Sequence, residues 1–216
     1  MAKTSSSILP DALINVGTGF GILLGLTIGL TFGLMAEQTA PAPLPTGSSI
    51  SLQSETADAT IRAILVERAS LVASVLRSQA TNGSADAPRA LLQQNSTALA
   101  AGLRTIGNPA LASRVVTALD RQMVATENYL TLNIAENTTE AANAKTLLLE
   151  TTNELNATVA TITGTATQIA RPVTQAITQA LVDLVPVAGK TPGFSAEAKL
   201  ASAFNRLATF LRNNRP

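Results

Sequence analysis

The chain has 216 residues, a formal net charge of +1, 13% charged and 3% aromatic residues, and neither cysteine nor histidine. Such a balance supplies no field that would draw a nucleic acid, and there are few rings on which bases or sugars could stack. Without Cys and His, thiol and serine–histidine catalysis, disulfides, iron–sulfur ligation and ordinary zinc chemistry are excluded.

Residues 1–11 form a short polar start. From Ala12 to Ala36 the chain runs 25 residues without a charge, between Asp11 and Glu37. As a helix this is roughly 37 Å long, against a hydrocarbon core of about 30 Å. A soluble helix of that length normally carries a polar face. A cleaved signal peptide has a shorter apolar stretch behind a basic start. Here only Lys3 precedes the run, and Leu34-Met35-Ala36 is a poor small-x-small cleavage site. Gly19-Phe20 resembles a prepilin junction, but no acidic residue follows early in the run. The expectation is an uncleaved, single-pass transmembrane helix over 12–36. Lys3 lies before it, and no Lys or Arg follows until Arg62. The positive-inside rule then places the N-terminus in the cytoplasm and the rest of the chain in the periplasm, outside the inner (cell) membrane.

Within this run Gly17, Gly21, Gly25, Gly29 and Gly33 recur at a spacing of four. Residues four apart share one helix face. A face without side chains lets a second helix approach closely, and packing is what holds helices together in lipid. These five glycines are the expected helix-packing site in the membrane.

Residues 37–50 contain three prolines and the run Thr46-Gly47-Ser48-Ser49. They read as an extended linker. Residues 51–216 then show helical periodicity. A first helix over about 52–80 carries Ile61, Ile64, Leu65, Leu71, Val72, Val75 and Leu76 on one stripe, and Asn82-Gly83 breaks it. A second, over about 87–106, is capped by Asp86, has Pro88 in its first turn, and shows Leu91, Leu92, Leu99, Leu103 and Ile106. Gly107-Asn108-Pro109 separates it from a third, over about 110–135. The spacing of Asn137 and Glu140 resembles a capping box that opens a fourth helix, although one continuous helix through 110–163 fits the pattern too. Gly164 and Pro172 disturb the stretch after the fourth helix. A fifth is expected over about 166–185, with Ile169, Val173, Ile177, Leu181 and Leu184. After a loop at 186–193, Ser195 caps the last, with Leu200, Phe204, Leu207 and Leu211. There is no strand-like alternation and no internal repeat. The fold class expected is all-α, one N-terminal transmembrane helix followed by an antiparallel bundle of four to six helices.

Several polar residues fall where the pattern expects apolar ones. Arg68 interrupts the first stripe and needs a partner. Asp120 or Glu127 could supply it, and otherwise Arg68 faces an anion or a partner protein. Asn95, Gln122 and Asn133 read as hydrogen bonds between helices that fix register. Glu136/Glu140 and Glu150/Glu154 are spaced four apart, but the Glu-x-x-His pattern of di-iron bundles cannot occur here, so these pairs read as solvated faces. Gly189-Lys190-Thr191 ends like a phosphate-binding loop, yet residue 184 is Leu and no strand precedes it. Asn-x-Ser/Thr sequons occur at Asn82, Asn95, Asn137 and Asn156, as expected by chance in a chain rich in Ser and Thr. Residues 120–155 hold six acidic and two basic residues, whereas 167–216 hold six basic and two acidic. The basic tail, with Arg206, Arg212 and Arg215, either contacts an acidic protein surface or lipid headgroups or complements the acidic stretch within the bundle.

No catalytic, cofactor-binding or metal-binding set is expected. The reading is a non-catalytic, single-pass accessory subunit of a larger membrane complex. Its partners are other membrane subunits or a second copy of itself, together with the lipid bilayer, and no nucleic acid. The alternative is a membrane-anchored periplasmic sensor or ligand-binding bundle. The usual receptor of that kind returns through the membrane, and the tail Leu207-Ala208-Thr209-Phe210-Leu211-Arg212 is no second span.

Overall fold

The computed structural model describes residues 48–190 and 194–214. The expected membrane helix with its five glycines, most of the linker, and Arg215 lie outside them. The described residues form six α helices and no strand: α1 (Ser48–Ala80), α2 (Asp86–Arg104), α3 (Pro109–Ile134), α4 (Thr138–Thr163), α5 (Thr167–Leu184) and α6 (Phe194–Asn213). A short 3-10 turn, Val185–Val187, follows α5. Each helix packs on its predecessor and its successor, and α6 closes on α1, while α3 reaches across to α1 and α5. Neighbours run antiparallel. Arg62 of α1 meets Asn205 of α6, and fifteen residues further along, Arg77 meets Glu197. Connections of a few residues enforce this arrangement.

Helix boundaries follow local chemistry. Helix α1 begins at Ser48 rather than near 52, so it takes in the last residues of the expected linker. Asp86 does not cap α2. It is the first helical residue, and the Ser84 hydroxyl takes its N–H at 3.3 Å. Asn108 caps α3 by accepting from the Ala110 N–H at 2.8 Å, with Pro109 at the first helical position, where a missing N–H costs nothing. Helices α3 and α4 are separate. Asn137 caps α4 by accepting from the Glu140 N–H at 3.2 Å, and Glu136 takes a positive φ of 55° in the turn. Gly164 ends α4 at φ 64°, the left-handed conformation that side chains disfavour. Pro172 does not break α5. It removes only the bond to the Gln168 carbonyl, and both residues are exposed, so water can take that carbonyl. Ser195 does not cap α6 either, because that helix already starts at Phe194.

The core is built from leucine and alanine. Leu65, Leu76, Leu99, Leu103, Leu148, Leu155, Leu200 and Leu207 are all at or below 1% exposure. Each such side chain contributes roughly 1.5–3 kcal/mol by leaving water. Small residues bring the helices close. A Cβ added at Gly102 of α2 would lie 3.1 Å from Ile61 Cγ1 of α1. Leu91 (50% exposed) and Ile169 (56%) do not join the core. They sit one position off the stripes Leu92–Leu99–Leu103 and Ala170–Ile177–Leu184, which turns them about 100° away.

Threonine enters the core because the helix satisfies it. Thr126 Oγ1 donates to the Gln122 carbonyl at 2.7 Å, and Thr163 Oγ1 to the Val159 carbonyl at 2.8 Å. Bonding back to the preceding turn leaves these two buried hydroxyls with a partner inside their own helix.

Candidate functional site

Arg68 is the largest buried polar side chain, 1% exposed between α1, α2 and α3. Its Nη2 donates to Asp120 Oδ1 at 2.6 Å and its Nη1 to Ser96 Oγ at 2.8 Å, and Ser96 Oγ donates in turn to the same Asp120 oxygen at 2.8 Å. The three groups close on one another. Burial pulls the guanidinium below its ordinary pKa, and the Asp120 charge and hydrogen bond oppose that pull. At 1% exposure the guanidinium is closed to an anion from outside, and of its expected roles the partner on a neighbouring helix is the one observed. The other acid considered for it, Glu127, pairs with Arg89 at 3.1 Å.

Asn95 pins α2 to α1 through Nδ2, which donates to the Ile64 carbonyl at 2.9 Å and to Glu67 Oε2 at 3.0 Å. Gln122 Nε2 donates to Thr178 Oγ1 at 2.8 Å, and Thr178 meets Thr152 Oγ1 at 2.6 Å, which ties α3, α4 and α5 together. Asn133 does not belong with these two: it is exposed at the end of α3. Both glutamate pairs are exposed, and Glu154 is drawn to Arg121 of α3. Of the sequons, Asn95 (4% exposed) and Asn156 (6%) are buried and closed to a glycan.

The described arginines of the basic tail are not brought together. Arg206 lies exposed in a groove between α5 and α6 beside Asp183 and Lys199. Arg212 lies in another, between α1 and α6, with Glu55, Asp58 and Arg62. Three acids of the acidic stretch instead pair with other arginines: Arg68 of α1 holds Asp120, Arg89 of α2 holds Glu127, and Arg121, from within the stretch, holds Glu154.

Two surface features carry no mark in the sequence pattern. One is a shallow apolar groove of about 470 Å³ between α3 and α4, where Val124 and Leu147 stand 66% and 54% exposed. Asp120 and Arg121 lie along it. The other is an equally open cavity of about 650 Å³ where α3, α4, α5, the 3-10 turn and the start of α6 meet. Tyr129, Lys145, Lys190, Ser195 and Lys199 bring polar groups to it, over apolar walls that include Val182 and Val187. The Asp183 carboxylate accepts from Gln179 at 2.8 Å and from Lys199 at 3.1 Å, and these two hydrogen bonds hold it below the usual carboxylate range. The chain has four lysines, and the three beyond Lys3 all line this cavity.

Among the described residues no group of three or more acidic side chains is placed to hold a metal ion, and no helix is long and apolar enough to cross a membrane. No family model, curated protein or solved structure matches the chain.

Proposed function

We propose that the protein is a non-catalytic, single-pass subunit of a larger membrane assembly, anchored by residues 12–36 and presenting its helical bundle on the periplasmic side. The observation that carries this reading is the uncharged run with Gly17, Gly21, Gly25, Gly29 and Gly33 in one phase. An anchor needs only length and hydropathy. Five glycines on one face give up packing with lipid tails and gain close approach to another helix.

The bundle adds two supporting observations. Its most deeply buried charge, Arg68, is committed to Asp120 and Ser96 and so serves the fold. The groove of Val124 and Leu147 leaves apolar surface facing water beside α3 and α4, as a surface covered in an assembly does.

The test is fractionation of cells expressing the full chain. The protein should stay with the membranes after a high-salt, alkaline wash, and the bundle should be cut by protease only from the periplasmic side. Release by the wash would refute the anchor, and protection from periplasmic protease would refute the orientation.

A further inference from the structure

The cavity among α3, α4, α5 and α6 supports an inference that goes beyond a docking role. Elsewhere in the bundle, charge is handled by arginine: Arg68, Arg77, Arg89 and Arg121 each hold an acidic residue. Lysine is used differently. Lys145 on α4, Lys190 after the 3-10 turn and Lys199 on α6 are 45 and 9 residues apart along the chain, yet they share one cavity. Among the described residues Asp183 is the only acidic one lining it, and Lys199 and Gln179 already engage it. Glu197, in the first turn of α6, is turned to Arg77 of α1. Three lysines therefore line a site that holds one carboxylate, and only Lys199 is bonded to it.

Ser195 and the Tyr129 ring lie at the same cavity, and Val182 and Val187 supply apolar wall. Ser195 stands in the first turn of α6, so the positive end of that helix adds to the lysine charge. A volume near 650 Å³ is that of a small-molecule site and far exceeds a bare inorganic ion. Among the described residues no arginine lines the cavity, so none brings the planar fork that matches a carboxylate. Lysine binds phosphate as a mobile point charge with three donors.

We propose that this cavity binds an organic phosphate monoester, with Lys145, Lys190 and Lys199 on the phosphate and the Val182–Val187 wall on its carbon skeleton. A soluble ester and a phosphatidic acid headgroup share this chemistry. The site is independent of the anchoring reading and fails or stands separately from it.

The test uses the full chain in a neutral detergent, with butyl phosphate as probe and thermal unfolding followed by helical circular dichroism. A ligand that binds only the folded state raises the midpoint in proportion to its occupancy. Butyl phosphate should raise the midpoint, and butyrate at the same concentration should not. Lys145→Gln and Lys190→Gln, which remove exposed side chains outside the bundle's ion pairs, should each weaken binding roughly tenfold without changing the unliganded midpoint. Arg206→Gln should leave binding unchanged. A midpoint rise with phosphatidic acid mixed into the micelles, absent with phosphatidylcholine and lost in the same lysine variants, would assign the lipid headgroup. A rise with butyl phosphate and none with phosphatidic acid would assign a soluble ester. No midpoint rise with either phosphate, or a rise that both lysine variants retain, would overturn the proposal.

Discussion

At the scale of single residues, the pair made by Arg68 and Asp120 is lopsided. The arginine side chain is 1% exposed and the aspartate side chain 48%. Removing one partner of a buried pair costs about 3–5 kcal/mol when a charge is left stranded. Asp120→Ala strands Arg68 in the core, whereas Arg68→Met leaves Asp120 at the surface, where water reaches it. Urea denaturation should therefore show Asp120→Ala losing about 3 kcal/mol and Arg68→Met clearly less. The double variant should recover part of the loss. The need for a partner was legible in the sequence, because a charge stood in an apolar stripe. Ser96 was not, since nothing in a lone serine marks it as the third member. Asp183 carries a pH signature. Its folded pKa is depressed by Gln179 and then Lys199, so its contribution is present above the unfolded value of about 3.9 and is lost as pH falls through the depressed one. The stability difference between wild type and Asp183→Asn should be full at neutral pH and shrink below about pH 4.

At the scale of elements, the starts of α2 to α6 were legible to within a residue or two, whereas α1 starts four residues early and the caps expected of Asp86 and Ser195 do not form. A side-chain oxygen caps only from the residue just outside the helix, and Asp86 and Ser195 already lie inside theirs. Pro172 reads as a disruption in the sequence because a proline in a helix interior removes a bond and crowds the preceding turn. Here the loss faces water. Pro172→Ala should restore the missing bond and raise stability by about 1–2 kcal/mol, measured by urea unfolding. Gly164 behaves in the opposite way. A Cβ there meets nothing within 4 Å, but φ is +64°. Gly164→Ala should cost about 1 kcal/mol through backbone strain alone, in the same assay.

At the scale of the whole molecule, the all-α bundle followed from periodicity and short loops, and the structure supplies its six helices and the closure of α6 on α1. That closure could not be read from the sequence. Small Ala and Thr side chains give every helix several faces able to pack, so partner choice rests on pairs such as Gln122 with Thr178 that unite distant residues. The lysine cavity was illegible for the same reason, since it exists only once four helices converge. The proposed function turns on the glycine face docking this chain into an assembly. Gentle detergent extraction of the full chain, with sizing and identification of co-migrating proteins, puts that docking to the test. A particle larger than one chain in its micelle is expected, falling to monomer size when Gly21, Gly25 and Gly29 are replaced by leucine. A lone monomer with the glycines intact would contradict the proposal.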